Sequence, residues 1–151
     1  MPPDIRPAAP DEGVRDRVLG VIFTAAEAMG LPFVPEEVAF EARDGDRWLG
    51  GLTARITQRW LFVHLLGVAE EAQGQGVGSR LVAAAEAEAR ARGCVGVWLD
   101  TYSFQAPGFY ARLGYAEVGR IADYPPGHAR IFLAKRLDGR PPAAPAGEGA
   151  P

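Results

Sequence analysis

The 151-residue sequence contains a single cysteine, Cys94, and a single lysine, Lys135. One cysteine cannot form a disulfide within the chain or build a cysteine-rich zinc site, so the composition suits a reducing compartment. The net charge of -3 and the absence of a basic run argue against a surface for nucleic acid or anionic membranes. No stretch of about 18 apolar residues is present, and the N-terminus lacks the pattern of a signal peptide. We therefore predict a cytoplasmic protein with no metal, nucleic-acid or membrane partner.

The length and the hydrophobic content of 48% predict one domain with one core. We place this domain at residues 1–137. Residues 138–151 are mostly Gly, Pro and Ala, so they predict a disordered tail with nothing to bury. The sequence leaves open whether the chain forms a homodimer.

The first half of the chain predicts one helix and three strands. The helix begins at Asp11 or Glu12 and ends near Gly30, because apolar residues between them recur at the helical period. Asp-Gly at residues 44–45 is a strong hairpin signal, and a second turn lies at residues 57–59. The three antiparallel strands that these turns connect are predicted at residues 38–43, 47–56 and 60–68.

The second half alternates helices and strands. A helix is predicted from Ser79 to Arg92, with Leu81, Ala85 and Ala89 buried and the pairs Glu86/Arg90 and Glu88/Arg92 on its exposed face. The apolar run at residues 94–100 then predicts a strand parallel to the one before the helix, with Cys94 in the core. A short helix at residues 103–113 and two closing strands, at 115–121 and 130–137, complete the order.

The segment between the third strand and this helix holds three alternating glycines, Gly74, Gly76 and Gly78. Glycines there let the backbone aim N–H groups at one point, and the start of a helix adds unpaired donors and a positive dipole end. Such a site favours an anion, and we expect a phosphate. The spacing fits neither the dinucleotide-binding nor the P-loop pattern. For the glycines taken alone, a simple tight turn remains the alternative.

Two motifs resemble those of the GNAT (Gcn5-related N-acetyltransferase) superfamily. Gln73, Gly76 and Gly78 occupy the fixed positions of its Q/R-x-x-G-x-G/A pyrophosphate loop. Residues 109–115, Phe-Tyr-Ala-Arg-Leu-Gly-Tyr, are similar to its second signature, and Ala106 also matches. The resemblance covers roughly residues 5–137. Residues 103–107 and 123–128 further resemble a subgroup of small bacterial GNAT proteins with mostly unassigned substrates. The resemblance implies the mixed α/β GNAT fold, in which a mostly antiparallel sheet splays between two parallel central strands and is flanked by helices.

The resemblance also implies a set of site residues. Acetyl-CoA is the implied co-substrate, and Tyr110 is implied as the group that protonates the departing CoA thiolate. The residues implied to bind CoA are Leu66, Gly67, Val68, Gln73, Gly74, Gln75, Gly76, Val77, Gly78, Ser79, Ser103 and Tyr110. Ser103 departs from the family, which often has asparagine at that position.

The general base is a separate question, because an amine of pKa about 10.4 is almost fully protonated at neutral pH. His64 shares the side-chain parity of Leu66 and Val68 on the third strand, and imidazole suits proton transfer near neutral pH. The alternative is a histidine that only packs in the strand. Weaker candidates are Glu70, Glu71, Asp100 and His128.

These observations predict an enzyme that moves an acetyl group from acetyl-CoA directly to a primary amine in a ternary complex. The rival prediction is a catalytically weak GNAT-fold module that binds CoA as a regulatory or interaction domain. The retained Tyr110 favours the enzyme. No residue pattern identifies the acceptor or the length of the acyl chain.

Overall fold

The structure, a computed structural model, describes residues 1–142. These residues form two compact units, Met1–Val34 and a larger unit that starts at Pro35. The single domain at residues 1–137 stays a prediction. The tail predicted at 138–151 lies outside the described residues from residue 143 onward, and its first residue, Asp138, forms an ion pair with Arg136 at 2.7 Å.

The smaller unit contains helix α1, over Val14–Ala28. The predicted start at Asp11 or Glu12 is wrong, because Gly13 takes the N-cap position in the left-handed conformation, at a φ of 74°. Gly30 lies just beyond the helix with the same φ of 74°. Glycine adopts this conformation without a steric penalty, which is why it ends helices so often.

The larger unit is built on six strands, which are β1 (Glu36–Asp44), β2 (Arg47–Thr57), β3 (Trp60–Val68), β4 (Gly96–Tyr102), β5 (Ala116–Ala122) and β6 (Ala129–Arg136). They form one sheet in the order β1-β2-β3-β4-β6-β5. Strands β3 and β4 run parallel, and the other neighbouring pairs run antiparallel. This mixed sheet, with its two parallel central strands, confirms the predicted fold class.

Two tight turns join the first three strands, as predicted. Gly45 and Asp46 form the first turn, with Gly45 at a φ of 59°. Gln58 and Arg59 form the second, at φ values of 50° and 62°. Positive φ at turn positions matches the right-handed twist of the strands on either side, so both turns favour the hairpin.

Helix α2 spans Val77–Ala91 and connects β3 to β4. It begins two residues before the predicted start, because Gly76 rather than Gly78 or Ser79 precedes the first turn. Its predicted stripe is buried, with Leu81 at 4% exposure and both alanines at 0%. The stripe packs into a core shared with the sheet, whose most buried strand residues include Leu52, Ala54, Leu61, Val97 and Leu99.

Helix α3 spans Pro107–Arg112, which is shorter than the helix predicted from residue 103. Residues 103–105 instead form a turn at the end of β4. Pro107 occupies the first turn of α3, and Gly114 follows the helix at a φ of 93°. Cys94 lies before β4 and is buried in the core, as predicted.

Within residues 1–142, no helix is both long and apolar enough to cross a membrane. In the same residues, no three His, Cys, Asp or Glu side chains are grouped so that they could hold a metal ion.

Candidate active site

Strands β3 and β4 are paired over only part of their length. Their ladder ends where Val63 lies opposite Leu99. Beyond that point β3 continues to Val68 alongside β2, and β4 continues to Tyr102 alongside β6. The strands therefore diverge, and a cavity of about 1000 Å3 opens between them. In the part of the chain that the structure describes, no other strand fills this gap.

The edge of β3 that borders the cavity offers backbone groups to a ligand. At the end of the strand, the Ala69 N–H donates to the Leu49 carbonyl at 2.8 Å, on the side of β2. Backbone groups alternate in direction along a strand, so the amides of Val68 and Leu66 point to the opposite side, toward the cavity. The Gly67 amide points toward β2. This agrees with the cavity lining, which includes Leu66 and Val68.

The loop between β3 and α2 supplies a second set of amides. Gly74 and Gly76 have φ values of 76° and 79°, a conformation that favours glycine. No side chain among the described residues caps α2. The first amides of a helix lack intrahelical partners, so those of Val77, Gly78 and Ser79 are available to an anion.

Two glutamine side chains hold this loop in place. Gln73 Nε2 donates to the Val68 carbonyl at 3.2 Å, which ties the loop to the end of β3. Gln75 Nε2 donates to the Glu71 carbonyl at 3.1 Å, within the 3-10 turn at Glu70–Ala72. Both side chains therefore bond to the loop backbone, while the amides of the helix start stay uncapped.

Tyr110 lies on α3 and lines the cavity with 9% of its surface exposed. Its ring packs edge-on against Phe109 and Tyr115, at centroid distances of 5.0 and 6.0 Å. Burial, and next the nearby Asp100 carboxylate, raises the pKa of Tyr110 above its ordinary value. The phenol therefore stays protonated at neutral pH and can donate a proton or a hydrogen bond into the cavity.

The two sequence motifs meet in space at Gly78. A Cβ atom at this position would lie 3.2 Å from Cζ of Phe109 and 3.7 Å from Cγ2 of Val68. Contacts below 3.4 Å are tighter than most Cβ contacts, so the missing side chain lets α3 approach the start of α2. The glycine thus sets the distance between the loop amides and the helix that carries Tyr110.

Asp100 lines the cavity on β4 and is paired with Arg130 of β6, which donates from Nε at 2.8 Å. Arg130 also donates to the Tyr124 hydroxyl at 3.1 Å. The hydrogen bond to Asp100 is the main reason that the pKa of the Arg130 guanidinium is raised above its already high ordinary value. The pair is half-buried, and it holds the Asp100 charge in place beside Tyr110.

His64 lies at a β-bulge, which the sequence did not predict. Val63 faces Ala54 of β2 and Leu65 faces Thr53, so His64 is an extra residue in β3. The prediction that the side chains of His64 and Leu66 lie on the same side of the sheet is therefore wrong, because a one-residue insertion places them on different sides. His64 is exposed, contacts the Phe62 ring at 5.8 Å, and still lines the cavity.

Glu86 corrects a second prediction. The sequence predicts this residue on the exposed face of α2, paired with Arg90, but it is buried, with 7% of its surface exposed. Its carboxylate accepts hydrogen bonds from Lys135 Nζ at 2.8 Å and from the Tyr115 hydroxyl at 3.2 Å. Lys135 also donates to the Leu113 carbonyl at 2.9 Å, which joins α2 and β6 to the end of α3. The other predicted pair, Glu88 and Arg92, is present at 2.8 Å.

The residues predicted to bind CoA divide into two groups. Those that line the cavity are Leu66, Val68, Gln73, Gly74, Gly76, Val77, Gly78, Ser79 and Tyr110. Gly67, Gln75 and Ser103 are not in the lining. Ser103 bonds to Ala129 instead, since its Oγ accepts from the Ala129 N–H at 2.9 Å and its own N–H donates to the Ala129 carbonyl at 2.8 Å.

The sequence pattern gives no role to five further lining residues, Thr101, Tyr102, Gln105, Arg112 and Arg130, although Gln105 and Arg112 lie in segments that resemble the GNAT family. Gln105 has a definite structural role, because its Oε1 accepts from the Tyr102 N–H at 3.1 Å. A polar residue three positions after the end of a buried strand is the signal that could have pointed to it.

A comparison with protein families agrees with the geometry of this cavity. Residues 15–115 match the model of the acetyltransferase (GNAT) family, which is about two thirds of the chain. The chain belongs to the GNAT acetyltransferase family. The family predicted from the glycine loop and the tyrosine motif is confirmed.

Individual relatives of this GNAT protein support the assignment. It is 51% identical to blasticidin-S acetyltransferase of Streptomyces morookaense over 89 residues, which are 58% of this chain and 65% of that protein. The match thus spans slightly less than two thirds of the relative. The crystal structure of an acetyltransferase from Bacillus cereus superposes with a TM-score of 0.80 at 30% identity, and covers 89% of this chain and 98% of that one.

A more distant crystal structure with the same fold was solved in complex with coenzyme A. Aminoglycoside 6'-N-acetyltransferase, solved with coenzyme A, matches this GNAT protein with a TM-score of 0.61 at 24% identity. The match covers 78% of this chain and 80% of that one. At this identity the likeness shows the fold alone.

Proposed function

We propose that this GNAT protein transfers the acetyl group of acetyl-CoA directly to a primary amine in a ternary complex. The observation that carries the proposal is that one cavity brings together three features. These are the uncapped amides at the start of α2, the open edge of β3 and the buried Tyr110. Each feature suits a different part of an acyl-CoA thioester.

The amides from Gly74 to Ser79 are the proposed site for the CoA pyrophosphate. Two left-handed glycines precede the helix, and the N-terminus of a helix favours an anion through its free N–H groups and its dipole. The pantetheine arm lies in the gap between β3 and β4 and pairs with the open edge of β3.

The Val68 amide is the proposed donor to the thioester carbonyl. The carbonyl oxygen gains negative charge as the amine attacks, and a preorganised N–H at that point stabilises the transition state by roughly 3 kcal/mol. No side chain is required for this step, so it depends on the open edge of β3 rather than on a motif.

Tyr110 is the proposed proton donor to the leaving group. As the new bond between nitrogen and carbonyl carbon forms and the carbon–sulfur bond breaks, the thiolate takes a proton from the phenol. The raised pKa of Tyr110 keeps that proton available at neutral pH. The phenolate then recovers a proton from solvent or from the acceptor nitrogen.

The proton of the attacking amine goes to His64 or to water. His64 is exposed at the bulge and borders the cavity, so it can exchange protons with solvent. Asp100 is a weaker candidate base, because its charge is already engaged by Arg130.

The direct test is an assay of CoA thiol release from acetyl-CoA with a panel of primary amines. Blasticidin S belongs in the panel, because one relative is named for it. We expect thiol release that depends on the amine, with the acetylated amine detected by mass spectrometry. Tight CoA binding without turnover on any amine would instead support the alternative, a CoA-binding module.

A further inference from the structure

Four aromatic side chains form a continuous surface at the end of β4, and we call it the aromatic ledge. Its members are Tyr102, Phe104, Tyr124 and His128. Tyr102 lines the cavity, and its ring lies 5.2 Å from that of Phe104 and 5.6 Å from that of Tyr124. The Phe104 ring in turn lies 5.1 Å from His128. The ledge therefore extends outward from the wall of the proposed acetyl-transfer site.

The outer rings of the ledge are open to solvent. Phe104 is 54% exposed and Tyr124 is 39% exposed. Exposed aromatic rings lose the stabilisation that burial would provide, since each could bury a large apolar area. Their cluster at the border of a cavity is therefore the kind of exposed apolar surface that marks a binding site.

The ledge is also held rigidly. Ser103 exchanges two hydrogen bonds with the Ala129 backbone, at 2.8 and 2.9 Å. On the other side of Phe104, Gln105 accepts from the Tyr102 N–H at 3.1 Å and its own N–H donates to the Tyr102 carbonyl at 2.9 Å. A surface fixed in advance loses less conformational freedom on binding a ligand.

One cationic side chain, that of Arg130, already lies against two rings of the ledge. Its planar guanidinium lies 5.9 Å from the Tyr102 centroid and 5.3 Å from the Tyr124 centroid. The charge is already matched by Asp100 at 2.8 Å. The Arg130 charge is therefore committed within the protein, and what the outer side of the ledge offers a ligand is the faces of aromatic rings.

We propose that the aromatic ledge binds a planar aromatic or heteroaromatic group of the amine acceptor by stacking. The inference rests on the proposed function for the position of the amine, which extends from this ring into the cavity toward Tyr110. Planar π systems stack on exposed rings with an energy beyond simple burial, so an aromatic acceptor gains over an aliphatic one of equal size.

The test compares two amines of matched size, 2-phenylethylamine and 2-cyclohexylethylamine, by NMR titration of the full-length protein loaded with CoA. We expect the phenyl compound to bind about 3- to 10-fold more tightly. Phe104→Leu and Tyr124→Leu should each reduce that ratio toward one. Trp48→Leu is the matched control, because Trp48 is also an exposed ring, at 45%, but is not part of the ledge.

Equal affinities for the two amines, or no binding of either, would overturn the proposal. It would also be overturned if the affinity ratio stays unchanged in both ledge variants, or if it falls as much in Trp48→Leu as in those variants. Thiol release with acetyl-CoA, measured on the same two amines, separates this result from the proposed function. A binding preference without any acetylation would support the ledge and contradict the transferase. Acetylation of both amines with equal affinity would support the transferase and contradict the ledge.

Discussion

The two parts of strand β3 use the same backbone for opposite purposes. In the paired half, residues 60–63, β3 has a partner on each side, and Leu61 and Val63 are 0% and 4% exposed. In the open half, residues 64–68, it keeps only β2, and Leu65 is 60% exposed. Hydrogen-bonding groups that complete the sheet in the paired half are therefore available to a ligand in the open half.

The β-bulge at His64 marks the boundary between these halves. A bulge bends a strand and increases its twist, which turns the open half of β3 away from β4. The gap thus follows from one extra residue together with the choice of neighbouring strands. The comparison shows that a cavity can open along a strand without breaking that strand.

The strongest way to test the comparison is to make the same substitution against the paired half and in the open half of β3. Gly96 of β4 lies opposite Trp60 of the paired half, and a Cβ there would lie 2.5 Å from Cζ3 of Trp60 and 2.6 Å from the Lys135 carbonyl. Gly96→Ala should therefore lower the free energy of unfolding by about 3 kcal/mol, because the main chain of β6 cannot move aside without breaking the ladder. Urea denaturation measures this change.

Gly67 in the open half is the matched position, because nothing lies within 4 Å of a Cβ built there. Gly67→Ala should change the free energy of unfolding by less than about 1 kcal/mol, with the reduced entropy of the unfolded chain favouring a small increase. Equal losses at both positions would show that the two halves are packed alike.

The next largest effect concerns Tyr110, the proposed proton donor, which lines the cavity beside the open half of β3. Tyr110→Phe should lower kcat by about 10- to 100-fold with little change in CoA affinity, because it removes one proton donor and leaves the ring. Since burial raises the pKa of Tyr110, its proton is not lost between pH 7 and 9. Over that range, deprotonation of Tyr110 should therefore cause no decline in the kcat of the wild type. Unchanged turnover in the variant would reduce Tyr110 to a packing role.

Much of the fold could be predicted from local patterns. Strand β3 has the predicted bounds, Trp60–Val68, because its apolar run lies between a turn and a glycine-rich loop. Both hairpins followed from turn residues. The start of α2 was displaced by two residues, because Gly76 in the left-handed conformation, not a side chain, determines where the helix begins.

What the sequence did not reveal depends on distant residues. Glu86 looks like an exposed helix residue until Lys135, 49 positions later, is brought against it by β6. Asp100 and Arg130 meet only because β6 pairs with β4, an order that local patterns do not determine. The bulge at His64 leaves no local signal, since the strand reads as regular on either side of it.

A smaller effect is expected at the boundary itself. His64→Ala should lower kcat/KM by about tenfold, less than the full contribution of a general base, because water in the open cavity can accept part of the proton flux. The melting temperature should stay unchanged, since His64 is exposed and unpaired in the β2–β3 ladder. Added imidazole should restore part of the activity. A variant that loses stability but keeps its kcat/KM would show that His64 only supports the bulge.

The smallest effect tests whether the open half continues into the proposed phosphate site at the glycine loop. Gly76→Ala and Gly93→Ala form a matched pair, because their φ values are 79° and 71° and nothing lies within 4 Å of a Cβ at either position. Each should lower the free energy of unfolding by about 1 kcal/mol through the same left-handed strain.

Only the methyl group at Gly76 would stand where the pyrophosphate approaches the start of α2. CoA affinity should therefore fall about fivefold in Gly76→Ala, equivalent to about 1 kcal/mol, and stay unchanged in Gly93→Ala. The rise in melting temperature on adding CoA reports the difference, because a ligand that binds the folded state stabilises it by an amount that grows with the logarithm of its affinity. If both variants respond to CoA alike, the phosphate does not lie on Gly76, and the open half of β3 does not lead into an anion site at this loop.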